Sequence, residues 1–348
     1  MKKFFTVAAS LILSAAMLTA CGSSAAPAAT TGAPETTAAA AVTQAPETTE
    51  ETKSFHIAIV QQLDHASLDE IRLAVEDELT KAAADKGFQV SYKEFNGQND
   101  NTVLNQIGAQ VVSDKYDAII PIASLAAQCM VTAADGTNTP IIYAAVSDPA
   151  TAGLTDIPNV TGTSDALNTA FILDMMLAAQ PDVKTVGLLY SNSEANSQTP
   201  IAQAKEYLEQ KGIAYIEKTG NSTDEILTAA SSLVGRVEAV FTPTDNVVMA
   251  CEGAVAEILN QAGIAHYTGA DSFVAAGAFT TSGVNYTELG TYTADMAVDI
   301  LLGGAVPEYH VMDGGIITVN TDTAETLGID YSVFKTMANT VTEVTTVE

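Results

Sequence analysis

The run FHIAIVQQLDHASLDEIRLAVEDELTKAAADKGFQVSYKEF, residues 55–95, holds a complete strand–loop–helix–strand unit. Phe55–Val60 is a β-rich apolar run, the pattern of a strand buried on both faces. Gln61–His65 is a polar loop. Leu68–Gly87 reads as a helix and closes on Lys86-Gly87, a helix-stop signal. Val90–Phe95 is the next strand. The second half of the chain repeats the order, with strand Val186–Tyr190, loop Ser191–Ser197, a helix ending in Lys211-Gly212, and strand Ala214–Thr219. Further strands are expected at Ala118–Ile122, Ile141–Ala145, Ala239–Thr242 and His266–Gly269. Helices are expected at Thr102–Asp114, Ala166–Ala179, Pro200–Gly212, Asp224–Val234 and Val247–Ala262. Strands alternating with helices of this length predict an α/β chain of two Rossmann-like lobes with parallel sheets. Two similar lobes in tandem imply a cleft between them.

In open α/β sheets, ligands bind outside the carboxyl ends of the strands, so the loops that follow strands are the candidate site. They supply Gln61 and His65 after the first strand, Ser124 after the third, and Ser147 and Asp148 after the fourth. The second half supplies Glu194, Asn196 and Ser197, then Thr244, Asp245 and Asn246, and finally Asp271 and Ser272. These loops carry hydroxyls, amides and carboxylates and contain no Lys or Arg. Such a lining suits a small ligand with hydrogen-bond donors and argues against a phosphate. An amino acid presents an ammonium and a carboxylate. For the carboxylate, the Ser124 and Ser147 hydroxyls and helix-start N–H groups are the expected donors. For the ammonium, Asp245 and Asp271 are the expected acceptors. Each acid can equally serve as a helix N-cap.

The 348 residues suffice for about two domains and carry a net charge of −28, from 14 Lys and Arg against 42 Asp and Glu. A chain this acidic is repelled by phosphate backbones and by anionic lipid, which excludes a nucleic-acid footprint. Trp is absent, so any aromatic pocket wall must come from Phe or Tyr. No GxGxxG, GxxxxGK[ST] or GxSxG occurs. The four histidines, His56, His65, His266 and His310, do not pair at metal-ligand spacing. No cofactor or catalytic residue is expected. Cys129 and Cys251 have no CxxC or His partner and read as buried free thiols.

The amino terminus reads as an address. Met1-Lys2-Lys3 precedes an apolar run from Phe4 to Leu18, shorter than the about 20 residues of a membrane span. Leu18-Thr19-Ala20-Cys21 then resembles a bacterial lipobox, which implies a signal peptide at 1–20 and lipid on Cys21. Residues 21–54 are rich in Ala, Thr and Pro and repeat Ala-Pro-Glu-Thr-Thr at 33–37 and 45–49, the composition of a disordered tether.

Several loops together resemble one family. Ile59-Val60-Gln61, Asp64-His65-Ala66-Ser67-Leu68-Asp69, Ala144-Ala145-Val146-Ser147-Asp148-Pro149 and Asn159-Val160-Thr161-Gly162 lie in the first half. Gly187-Leu188-Leu189-Tyr190, Glu194-Ala195-Asn196-Ser197, Pro243-Thr244-Asp245-Asn246 and Tyr286-Thr287-Glu288-Leu289-Gly290 follow in the second. In this order, over about residues 55–335, they resemble the substrate-binding lipoproteins of ABC transporters related to tryptophan and tyrosine uptake. The resemblance implies the type I periplasmic-binding fold, two lobes joined by a three-crossover hinge. It implies a first lobe of 55–163 plus 284–311, a second of 164–283 plus 312–335, and a tail at 336–348. It also implies a non-catalytic receptor on the extracytoplasmic face of the membrane. That receptor captures a small amino-acid-like ligand, mainly aromatic in the family, and passes it to permease subunits. Asp64-His65-Ala66 stands where the family commonly has Glu-His-Pro, and Thr280-Thr281-Ser282-Gly283 where Ala-Thr-Tyr-Gly is more usual. A sugar or nucleoside receptor of the same fold and an extracytoplasmic hydrolase are the alternative readings.

Overall fold

The computed structural model describes residues 52–347. The expected signal peptide, Cys21 and the tether up to residue 51 lie outside the described residues. The first series of elements is β1 (Ser54–Gln61), α1 (Ala66–Lys86), β2 (Gln89–Asn96), α2 (Asn101–Asp114), β3 (Ala118–Ile122), α3 (Ser124–Ala133), β4 (Ile141–Tyr143) and β5 (Val160–Ser164). The second begins with α4 (Thr169–Ala179), β6 (Thr185–Tyr190), α5 (Ala195–Lys211), β7 (Ala214–Thr219) and α6 (Thr223–Ser231). It continues with β8 (Ala239–Thr242), α7 (Asn246–Met249), α8 (Glu252–Gln261), β9 (Ala265–Thr268), α9 (Asp271–Ala275) and β10 (Thr280–Gly283). The chain then returns through α10 (Tyr286–Leu301), β11 (His310–Val311), β12 (Ile316–Asn320), α11 (Thr321–Leu327), a 3₁₀ turn (Ser332–Thr336) and β13 (Val341–Val344).

Two sheets result, ordered β11-β5-β4-β3-β1-β2 and β13-β12-β10-β9-β8-β6-β7. Every pairing is parallel except β10 with β12, where the chain re-enters its second sheet in the opposite sense. The continuous apolar run of β1 is explained by its central place: Ile57, Ala58, Ile59 and Val60 are all fully buried. Ile57 and Ile59 face α1 and α10, while Ala58 and Val60 face α2 and α3. In the second sheet Val186, Leu188 and Phe241 face α4 and α5, and Leu189 and Val240 face α6 and α8. Each such side chain contributes about 1.5–3 kcal/mol of burial free energy. Lys86-Gly87 and Lys211-Gly212 end α1 and α5 as expected, both glycines in the left-handed conformation that caps a helix.

Four readings need correction. The helix expected over Val247–Ala262 is two helices, because Cys251 adopts a non-helical conformation (φ −132°) that starts α8 anew. The expected tail at 336–348 contains β13, which covers the otherwise open edge of β12 in parallel register from Ile317↔Val341. Ser54, placed in the tether, begins β1 opposite Gln89. Strands β5, β10 and β12 were not expected, since Val160–Ser164 and Thr280–Gly283 are built of Thr, Ser and Gly rather than aliphatic residues. Three crossovers join the sheets: β5 to α4, β10 to α10, and β11 to β12. Among the described residues no helix is long and apolar enough to cross a membrane.

Candidate functional site

The loops at the carboxyl ends of β1 and β4 meet those of β6, β8 and β9 directly. Gln62 Nε2 donates to Glu194 Oε1 at 2.7 Å. His65 Nε2 lies 3.0 Å from Asn246 Oδ1, and the Ser67 and Ser272 hydroxyls touch. Thr199 Oγ1 donates to Asp148 Oδ2 at 2.7 Å. Ser147 Oγ gives its proton to Asp165 Oδ1 at 2.8 Å, so the Thr244 hydroxyl, 3.1 Å away, donates to Ser147. The lobes are therefore closed, and the cavity between them is only about 20 Å³, room for a water and not for an amino acid.

Six expected residues border this cavity: His65, Ser147, Asn196, Thr244, Asp245 and Asn246. Their polar atoms follow a connected logic. Asn246 Nδ2 donates to Glu194 Oε2 at 2.6 Å, which leaves Asn246 Oδ1 as an acceptor. His65 Nε2 must then carry the proton it shares with Asn246. Burial holds the His65 pKa below its usual value, so the ring is neutral and Nδ1 is a bare acceptor. That Nδ1 is buried and has no partner. Asn196 repeats the pattern: Nδ2 donates to the Thr244 carbonyl at 2.6 Å and Oδ1 is buried without a partner.

Asp165 is the carboxylate that sequence reasoning missed. It sits in the first crossover, immediately after β5, and borders the cavity. Two neutral hydroxyls, Ser147 and Tyr286, donate to it at 2.8 and 3.1 Å, and no cation pairs with it among the described residues. Burial raises its pKa. Its signal was a strand followed by an acid, and it was hidden because Val160–Ser164 did not read as a strand. Phe273 and Tyr286 supply an aromatic wall beside Leu68 and Met249. Ala123 (φ 76°) and Ala145 (φ 54°) border the cavity too, both in a backbone region that alanine rarely adopts. Strain of this kind costs about 1–3 kcal/mol and clusters at functional sites.

The remaining expected residues serve other ends. Asp245, expected to receive an ammonium, has all its acceptor positions occupied. Oδ1 takes the Val247 and Val248 N–H groups at the start of α7, and Oδ2 takes the Ser191 N–H and the Ser197 hydroxyl. Asp271, its expected partner, borders a different pocket beside Glu70 on the flank of the hinge. Gln61 binds the Leu63 carbonyl and Asp69 within its own lobe, and Ser124 is buried at the start of α3. Asp148, Glu194 and Ser272 form cross-lobe contacts outside the cavity wall. Glu194 is buried and stands near Asp245, and together these push its pKa up to about 7.

With this geometry in hand, the comparisons with known proteins are specific. The family model for ABC transporter substrate-binding proteins matches residues 56–340. A tyrosine-binding protein of Clostridioides difficile is 31% identical over 290 residues, 80% of this chain and 82% of that protein. Among solved structures, an ABC domain in complex with L-Trp from Streptococcus pneumonia is 29% identical. The match covers 84% of this chain and all of that one, with a TM-score of 0.76. A ligand-free, open substrate-binding protein with adhesive properties from Clostridium difficile is 32% identical over the same shares, with a TM-score of 0.63. Higher identity with poorer superposition on the open form agrees with the closed lobes found here. Two parallel-sheet lobes, a cleft bordered by the expected loops and a family match over most of the described residues converge: the chain belongs to the ABC transporter substrate-binding proteins and is related to the members that bind tyrosine and tryptophan.

Proposed function

We propose that this protein captures an aromatic amino acid between its lobes and delivers it to a membrane permease, held at the extracytoplasmic face of the membrane by lipid on Cys21. The observation that carries the ligand class is a pair of buried acceptors without donors beside a buried carboxylate without a countercation. An α-ammonium has three N–H donors, and His65 Nδ1, Asn196 Oδ1 and the Asp165 carboxylate offer three acceptors on one cavity. The ligand carboxylate falls to the start of α1, which has no side-chain cap on its free N–H groups, whereas at the start of α3 the Leu125 N–H already donates to Gln62 Oε1. Phe273 and Tyr286 take the ring. A carbohydrate brings no ammonium and would leave Asp165 without a countercation, which disfavours the sugar reading. The names of the tyrosine-binding and L-Trp-bound relatives support the aromatic class.

Because the present cavity is too small, entry requires hinge opening at the three crossovers. Thermal-shift screening of the mature chain against the twenty amino acids tests the assignment. L-tyrosine or L-tryptophan at a hundred times its Kd should stabilise by about 2.7 kcal/mol. A shift with sugars or nucleosides and none with aromatic amino acids would replace the reading. Mass spectrometry of ligand recovered from the complex separates a receptor, which returns it unchanged, from a hydrolase. For the anchor, Cys21→Ala should release the protein from membranes or leave it uncleaved. Wild-type processing and membrane retention in that variant would remove the lipid from the account.

A further inference from the structure

A second pocket, of about 540 Å³, lies on the flank of the hinge and shares Asp165 and Tyr286 as a common wall with the cleft cavity. Its size falls within the roughly 300–1,000 Å³ of small-molecule sites. Its walls come from all three crossovers: residues 165–168, 282–284 and 314–316. The segment 337–340, just before β13, closes the remaining side. Leu167, Phe171, Val284, Ile316 and Met337 supply its apolar wall, and about half of the lining is polar. Strand alternation places the neighbouring side chains of β10 on opposite flanks, Ser282 on this pocket and Thr281 on the pocket beside Asp271. Thr281 Oγ1 is satisfied by the Thr268 carbonyl at 2.7 Å. Ser282 is 3% exposed and its Oγ has no hydrogen-bond partner. An orphaned buried hydroxyl calls for an explanation, and an occupant of this pocket supplies one.

We propose that this hinge pocket is a second, regulatory ligand site, which takes a small uncharged or cationic aromatic amphiphile whose polar group pairs with Ser282. Among the described residues Asp165 is the only Asp, Glu, Lys or Arg on its wall, and its bonds from Ser147 and Tyr286 leave it without a countercation, so an anionic group is repelled. A molecule seated against all three crossovers feels every change of hinge angle. By linkage, an occupant that fits this closed arrangement holds the lobes shut. Since the closed cavity excludes an amino acid, the occupant weakens capture in the cleft. The site itself does not depend on the amino-acid reading; the coupling rests on it.

The chain has no Trp, so Phe171→Trp places a single indole, excited selectively at the red edge of the tyrosine absorption, in the pocket wall. In that variant 4-methylphenol and tyramine should give saturable fluorescence changes with no amino acid present. The anionic analogue 4-hydroxybenzoate should bind about tenfold more weakly or not at all. In the chain with native Phe171, titration calorimetry should detect 4-methylphenol, and Ala338→Phe, which fills the pocket from its carboxyl-terminal wall, should abolish that heat. Absence of binding by both 4-methylphenol and tyramine, binding of 4-hydroxybenzoate as tight as theirs, or binding unchanged by Ala338→Phe, overturns the site. For the coupling, 4-methylphenol should lower L-tyrosine affinity to a limiting value, and L-tyrosine should lower 4-methylphenol affinity by the same factor. Unlimited competition places the probe in the cleft and overturns the proposal, and independent binding overturns the regulatory role. If L-tyrosine fails to bind at all, the amino-acid reading falls while the probe titrations still decide the pocket.

Discussion

At the scale of the residue, two buried aspartates of the cleft differ in what their oxygens already hold. Asp245 caps α7 and ties two loops with four hydrogen bonds, whereas Asp165 receives two hydroxyls and faces the cavity. Asp245→Asn replaces an acceptor with an amide that cannot receive the same donors. It should cost about 1–3 kcal/mol in urea unfolding and change L-tyrosine affinity by less than about threefold. Asp165→Asn removes the charge facing the ammonium. It should weaken calorimetric binding by about 2–5 kcal/mol, with a smaller effect on unfolding. The reverse ranking would return the ammonium to Asp245. The loop positions and the polar, cation-free character of the cleft were legible, because they depend on residue type and on place after a strand. Which acid is saturated was not, because it depends on donors from Ser191 and Ser197, remote in sequence from Asp245.

At the scale of the element, α10 lies directly on α1, and Gly290 is the point of closest approach. A Cβ at Gly290 would stand 2.6 Å from the Ile71 carbonyl oxygen and 2.7 Å from the Ala74 Cβ, the first of these a backbone atom. Gly290→Ala should therefore push the helices apart and destabilise by about 1–3 kcal/mol, the usual cost of overpacking. This holds despite the better helix propensity of alanine, worth about 1 kcal/mol the other way. Equilibrium urea denaturation reads the balance, and an unchanged or raised midpoint would mean that the helices yield freely. The aliphatic strands at the heart of both sheets were legible from their runs of Ile, Val and Leu. The strands nearest the crossovers were not, since Thr163, Thr280 and Thr281 sit fully buried and their hydroxyls bond to neighbouring elements. Burial of hydroxyls is set by tertiary partners, which no local pattern reveals.

At the scale of the whole molecule, closure buries a carboxyl group whose proton affinity it changes. Glu194 is latched across the lobes by Gln62 and, within its own lobe, by Asn246. With burial and Asp245 beside it, the Glu194 carboxyl has its pKa pushed up to about 7, from an ordinary 4.5. A pKa raised in the closed form means that closure binds a proton, so this contribution is complete below the ordinary value and is lost as pH rises through about 7. His65 works in the opposite sense, since burial lowers its pKa and protonation below its usual 6.5 favours opening. At that value an exposed His65 ring is still half protonated, so the two effects partly offset one another until about pH 7.5. Between about pH 6.5 and about pH 8 Glu194 alone would lower the closure constant about fourfold, and with His65 opposing it the net fall should be about twofold. Small-angle scattering of the unliganded chain should show the radius of gyration growing over this interval. Glu194→Gln keeps the size of the side chain and removes its titration, so only the opposite trend from His65 should remain and the radius of gyration should not grow as the pH rises. If wild type and Glu194→Gln respond alike, the proton is taken up elsewhere and Glu194 is a contact of the closed form without being its pH sensor.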